Sequence, residues 1–242
     1  MTDSRLRPIH IETGVQRFPE GSVRYACGET RLLIAASVET KVPKFLEDSG
    51  KGWVSAEYAM HPRCTPERNR RDGRSGKVDG RSTEIQRLIA RSLRAAVHLD
   101  RIPGLSIQLD CDVLDADGGT RTAAISGGFV ALAIAIEHLQ RSGRCGAPMA
   151  AQVAAISVGD VDGELVVDLD YEADSRAAFD LNVVGTADGR LIEVQGTAEA
   201  GPLSRTRFDA LVDAAQSALK DVFAAQRAAL SACNIELERL GL

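Results

Sequence analysis

The chain lacks closely spaced cysteines. Its five, at 27, 64, 111, 145 and 233, lie at least 34 positions apart. An odd, scattered set excludes a secreted disulfide framework and a CxxC zinc site, and fits a reducing, cytoplasmic setting. Long apolar runs are missing as well. The longest, Phe129 to Ile136, has 8 residues, where a membrane span takes roughly 20. The opening Met1-Thr2-Asp3-Ser4-Arg5 holds no apolar signal core, so neither secretion nor membrane insertion is expected. The four histidines (10, 61, 98 and 138) form no HxxxH or HExxH pattern, and no GxSxG motif occurs. A histidine metal site and covalent nucleophilic catalysis therefore have no support. What is present, 242 residues with 44% hydrophobic and 26% charged, is the balance of an ordinary globular chain.

An excess of positive charge is also absent overall, since 29 basic against 34 acidic residues leave a net charge of −5. The mean hides an asymmetry. Between Arg63 and Arg94 there are ten basic and four acidic residues, a local +6, leaving −11 on the other 210. Such a patch suits a polyanion held at one place on a soluble body, or else a solvated charged loop.

Hydrophobic patterning predicts strands over 22–27 and 31–38 joined by a Gly28-Glu29-Thr30 turn, then long loops from Glu47 to Gly80. A helix capped by Ser82 follows, with Ile85, Leu88, Ile89, Leu93 and Ala96 on its inner face and an Arg87, Arg91, Arg94 stripe outside. Ser106 to Leu114 alternates strictly and reads as a half-buried strand. A nearly all-apolar helix over 122–141 should be central. Strands near 152–158, 163–170, 180–186 and 190–196 and a long helix from Ser204 complete the chain. No low-complexity linker separates these halves, so residues 1–242 are expected to form a single α+β domain of two halves, each antiparallel strands followed by helices.

Three features could carry chemistry. Asp117-Gly118-Gly119-Thr120-Arg121-Thr122 lies between a strand and a buried helix, where glycines admit a ligand to the backbone and free helical N–H groups favour an anion. It is a phosphate cradle in outline, or a glycine turn with a capping threonine. Arg81 stands at the start of another helix, and two arginine forks at two helix starts suit one phosphate. Asp168, Asp170, Glu172 and Asp174 occur at alternate positions, followed by Asp180. Clustered carboxylates near phosphates can hold Mg²⁺, or they can form an acidic solvent-facing strand. Trp53 and Tyr58 precede the basic run, where either base stacking or core packing would use them.

Taken together, Glu20-Gly21-Ser22-Val23, Gly52 to Tyr58, Arg68-Asn69-Arg70-Arg71, Gly80 to Ile89, Asp110 to Leu114, Asp117 to Ala123 and Glu193 to Glu199 resemble the ribonuclease PH family over nearly the whole chain. These are phosphate-dependent 3′ to 5′ exoribonucleases that trim transfer RNA precursors. The resemblance implies a ribosomal-protein-S5-domain-2-like fold assembled as a ring-shaped homohexamer, a trimer of dimers. It also implies phosphate as co-substrate, bound by Arg81, Gly119, Thr120 and Arg121, with Asp174 and Asp180 serving catalysis and Mg²⁺. The basic loop with Arg63, Arg68, Arg70, Arg71 and Arg74 would hold RNA, with no role for DNA. One departure is plain: members commonly open with a stretch ending in Asp-Gly-Arg, and Met1 to Arg7 has none, so a difference is expected at the edge of the site or in subunit contacts. The competing readings are a non-catalytic ring subunit of an exosome-like assembly and a metal-dependent hydrolase that uses water. A polynucleotide phosphorylase is a much longer chain.

Overall fold

The structure, a computed structural model, describes residues 6–71 and 79–242. Its first half holds β1 (Ile9–Thr13), β2 (Gly21–Cys27), β3 (Thr30–Glu39), β4 (Trp53–Met60) and β5 (Ser106–Asp115), in the order β1-β2-β3-β5-β4. The expected β2–β3 hairpin is present, with Cys27 opposite Thr30. Two strands were not anticipated. β1 is five residues of half-buried alternation. β4 falls inside the stretch expected to be loop, and it pairs with β5 in parallel, so this half is mixed rather than wholly antiparallel. Val54, Ala56 and Tyr58 do alternate inward, but Ala56 and the intervening Ser55 and Glu57 are weak strand formers, and pairing with β5 decides the matter.

The return from β4 to β5 runs through α1 (Gly80–Arg94), whose buried face includes Ile85, Leu88, Ile89 and Leu93 as expected. Its cap is not Ser82. Asp79 takes that place, its carboxylate accepting from the Arg81 N–H at 3.2 Å, and Ser82 is buried one turn in. Two of the three outer arginines are structural, while Arg87 is exposed: Arg91 donates two hydrogen bonds to Glu193, at 2.6 and 2.9 Å. Arg94 bonds the Val54 carbonyl and lies over the Trp53 ring at 4.3 Å.

α2 (Thr120–Arg141) is long and apolar enough by composition to cross a membrane, yet 83% of its apolar 18-residue stretch is buried inside the protein. Its near-continuous apolarity reflects a helix surrounded on all sides. It packs on β2, β3 and β5 and also on β6 of the second half. That half is a second sheet of β6 (Val153–Val161), β7 (Glu164–Val167), β8 (Ala177–Thr186) and β9 (Leu191–Ala198), ordered β7-β6-β8-β9 and antiparallel throughout. One face of this sheet meets α4 (Arg205–Ala232) through Ile156, Val158, Leu181 and Val183 against Leu211, Leu219, Val222 and Phe223. Each such side chain contributes about 2 kcal/mol by leaving water. Val153, Ala155 and Val184 on the other face join the core around α2.

The expected strand to residue 170 stops early. β7 ends at Val167, Asp168 turns into the left-handed region at φ 60°, and Asp170 caps a short helix, α3 (Tyr171–Arg176), by accepting from the Ala173 N–H. The four alternate carboxylates therefore do not share a face. A last helical turn, α5 (Leu237–Leu240), closes the chain.

Candidate active site

Where the N-terminal ends of α1 and α2 approach β8 and α3, a cleft of about 440 Å³ opens, lined by Arg81, Gly119, Thr120, Arg121, Asp174 and Asp180. Six residues taken from four separate segments of the sequence thus surround one space. A second cleft of about 460 Å³, between the β8–β9 turn and the C-terminal residues, holds none of the sequence's candidates.

The cradle is shaped by its glycines. Gly118 (φ 72°) and Gly119 (φ 62°) both occupy the left-handed region. At Gly118 a Cβ would run into the Leu169 carbonyl oxygen and lie 2.8 Å from the Asp170 Cα, so only glycine lets the two loops touch. Gly119 is the N-cap of α2 and offers no side chain to the first turn, which leaves the leading N–H groups of a 22-residue helix facing the cleft side. Thr30, which sequence reading overlooked, holds this loop from behind. Its hydroxyl donates to the Gly118 carbonyl at 2.6 Å and accepts from the Asp117 N–H at 2.9 Å.

Thr120 is buried, its hydroxyl 2.8 Å from the Tyr58 hydroxyl. Tyr58 is accordingly packed into the core from β4 and is not a stacking platform. Burial pushes its phenol up, while the Thr120 hydrogen bond and the charges of Arg81 and Arg121 pull the other way. Arg121 is oriented by two groups whose role here the sequence did not reveal: it donates to Gln195 at 2.9 Å and lies 3.6 Å from Glu84. Gln195 in turn donates to Glu84 at 3.0 Å. A guanidinium fixed on one side presents its remaining donors in a set direction.

Asp180 lies on β8 between Leu181 and Phe179, opposite Gly159 of β6 and Thr197 of β9. Leu181 faces α4, so strand alternation turns Asp180 and Asn182 to the cleft, where Asn182 and Ser157 also line the wall. Both carboxyls sit above the ordinary aspartate range. For Asp174 the cause is burial, opposed by Arg121 and Arg81; for Asp180 it is burial and the neighbouring charge of Asp174, opposed by Arg121. The other acids have different employment: Asp168 is buried on Arg7, Asp170 caps α3, and Glu172 is exposed near Arg176.

The basic segment borders the cleft. Asn69 bonds the Thr65 hydroxyl and the Pro62 carbonyl, and both Thr65 and Asn69 line the wall. Arg63, Arg68, Arg70 and Arg71 are exposed beyond them, while Arg74 lies outside the described residues. Tyr171, also unflagged by sequence, is 70% exposed at the cleft's lip.

Residues 5–136 match the first domain and residues 151–218 the second domain of the 3′ exoribonuclease family. The chain belongs to this family. Among its relatives is the ribonuclease PH of Corynebacterium glutamicum (strain R), 52% identical over 227 residues that cover 93% of each chain. Its fold is also that of rice (Oryza sativa) Rrp46, at a TM-score of 0.76, 19% identity and coverage of 95% of this chain and 98% of the other. A chain of the Archaeoglobus fulgidus exosome, solved with RNA bound to the active site, aligns at a TM-score of 0.74 and 19% identity over 90% of this chain and 88% of its own. These likenesses at low identity confirm the mixed α+β architecture of the family.

Proposed function

We propose that the cleft carries out phosphorolysis of RNA 3′ ends, as the ribonuclease PH relative's name and this chain's membership of the 3′ exoribonuclease family support. The observation that carries the reading is one cleft in which two arginines, a glycine-flanked helix start and two carboxyls above their usual range converge. Inorganic phosphate rests against Arg81, Thr120, Arg121 and the first N–H groups of α2. One of its oxygens attacks the phosphorus of the terminal phosphodiester. The bond from phosphorus to the penultimate ribose O3′ breaks, a phosphoanhydride forms, and a nucleoside 5′-diphosphate leaves. The departing O3′ takes a proton, a transfer that one carboxyl of the pair Asp174 and Asp180 lining the cleft is placed to assist. One diester is exchanged for one anhydride, so excess nucleoside diphosphate extends the 3′ end.

Asp174 and Asp180 also fit Mg²⁺. Both are hard oxygen donors, and a cation would relieve the mutual charge that pushes Asp180 up. Among the described residues no three His, Cys, Asp or Glu side chains are arranged to hold a metal by themselves, so the ion would complete its shell with water and phosphate oxygens. When bound, it neutralises charge on the reacting phosphates.

Arg63, Arg68, Arg70, Arg71 and Arg74 would guide a transfer RNA precursor by its backbone. The whole chain would act as one catalytic domain, with α2 shared between its halves, in a homohexamer built as a trimer of dimers. Exposed Phe45, edge-on to Trp53 at 5.4 Å, offers such an assembly apolar surface. Five unpaired cysteines suit the cytoplasm.

The test is 3′ trimming of a 3′-extended transfer RNA with Mg²⁺, with and without inorganic phosphate. Phosphate-dependent release of nucleoside diphosphates is expected. Monophosphate release without phosphate means hydrolysis, and RNA binding without release means a scaffold subunit.

A further inference from the structure

Arg7 stands just behind the cleft rather than in its wall. Its Nε and Nη2 donate to the two Asp168 oxygens, each at 2.8 Å, and its backbone N–H donates to the same carboxylate at 3.0 Å. Nη1 bonds the Asp117 carbonyl at 2.6 Å, with the Asp117 carboxylate 3.6 Å away, and Nη2 reaches the Leu169 carbonyl at 3.4 Å. Every one of these partners lies in one of two loops. Residues 117–119 lead into α2 and form the cradle; residues 168–170 lead into α3 and present Asp174. The loops touch where Gly118 meets Leu169 and Asp170, and the Asp117 side chain accepts from the Tyr171 N–H at 3.3 Å. Resting on the phosphorolytic reading of the cleft, we propose that Arg7 is a positioning residue, whose fork fixes the phosphate-holding start of α2 relative to the α3 turn that carries Asp174.

The energetics point the same way. Asp168 is buried and in the left-handed region at φ 60°, an arrangement that persists only where its surroundings hold it. Apart from Arg7, its side chain is approached by the Cys27 thiol at 3.3 Å. Burial alone would push the Asp168 carboxyl up; the hydrogen bonds and charge of Arg7 bring it below the usual range instead. A planar fork can serve two carboxylate oxygens and two carbonyls at once, which the single ammonium of lysine cannot. Arg7 thus delivers a guanidinium to the back of the site.

The experiment uses the full chain, 3′-extended transfer RNA and Mg²⁺, with phosphate titrated against turnover. Arg7→Lys, which keeps the charge, should melt within a few degrees of the parent and bind RNA equally without phosphate. It should nevertheless show a phosphate KM about tenfold higher and a kcat about tenfold lower, as misplaced groups do. Asp168→Asn, tolerated at positive φ, should reproduce this, and the double variant should be little worse than either alone. Leu219→Ala, a core change on α4, supplies the comparison: a lower Tm with unchanged phosphate KM. Parental phosphate KM and kcat in Arg7→Lys would overturn the proposal. So would losses in Arg7→Lys and Asp168→Asn that follow Tm while RNA affinity falls in parallel. A parent that releases nucleoside monophosphates without phosphate refutes the phosphorolytic reading, and this proposal with it.

Discussion

Arg121, Asp180 and Asp168 show how single side chains divide the work. Arg121 is held by Gln195 and Glu84 and faces the cleft from the first turn of α2. Arg121→Ala should therefore cut phosphate-dependent turnover by about a hundredfold or more while leaving RNA affinity nearly intact, as loss of an oriented anion donor does. Single-turnover trimming and filter binding would check both. The carboxyl of Asp180 is raised by burial and by Asp174. A carboxyl raised in the folded state favours folding below the ordinary aspartate range, and that advantage is lost as pH climbs through the folded pKa. At pH 7 the charge is thus a liability, so Asp180→Asn should melt higher than the parent at pH 7 and lose that margin as pH falls through the aspartate range, with activity abolished at every pH. Thermal melts across pH 4–8 would show it. Asp168 runs the other way. Its lowered carboxyl supports folding at neutral pH, and this support fades as pH falls through the aspartate range. Arg121 and Asp180 were legible as candidates because their residue types sit beside a glycine turn and a strand start. Arg7 and Thr30 were not, since nothing local distinguishes an arginine whose partners lie 110 and 161 residues away.

Among the elements, the two glycines before α2 matter most to the site. Gly118→Ala would force a Cβ into the Leu169 carbonyl at a φ of 72°. A cost of at least about 2 kcal/mol is expected, read by denaturant unfolding, with phosphate-dependent turnover falling further than stability explains. The start of α1 is set by Asp79 rather than Ser82. Pattern reading placed the helix correctly and its cap three residues late, because either side chain satisfies the same rule and only the backbone path selects between them. The acidic run shows the converse. Its alternation read as a strand, but the positive φ of Asp168 and the Asp170 cap turn it into α3. Only one of its four acids thereby reaches the cleft.

At the scale of the molecule, α2 and the second sheet share one core, and a buried polar joint fixes how they meet. Gln226 of α4, fully buried, donates to the Ser126 and Val153 carbonyls and accepts from Gln152. Gln226→Leu should cost about 2–3 kcal/mol by orphaning those groups, measured by urea unfolding. Binding at the cleft should act on the whole fold: inorganic phosphate at about a hundred times its Kd should add about 2.7 kcal/mol of stability. That rise in Tm should be missing from Arg121→Ala. The sequence by itself determined the class of fold, the central helix, the long α4 and the residue types of an anion site, because hydrophobic period, glycine placement and charge are local properties. Only the tertiary structure decided that β4 is a parallel edge strand, that Tyr58 is core, that the acids part company at Asp168, and that Arg7 braces the cradle. Each of those outcomes depends on partners distant in the chain, and no local pattern specifies which buried group a side chain will meet.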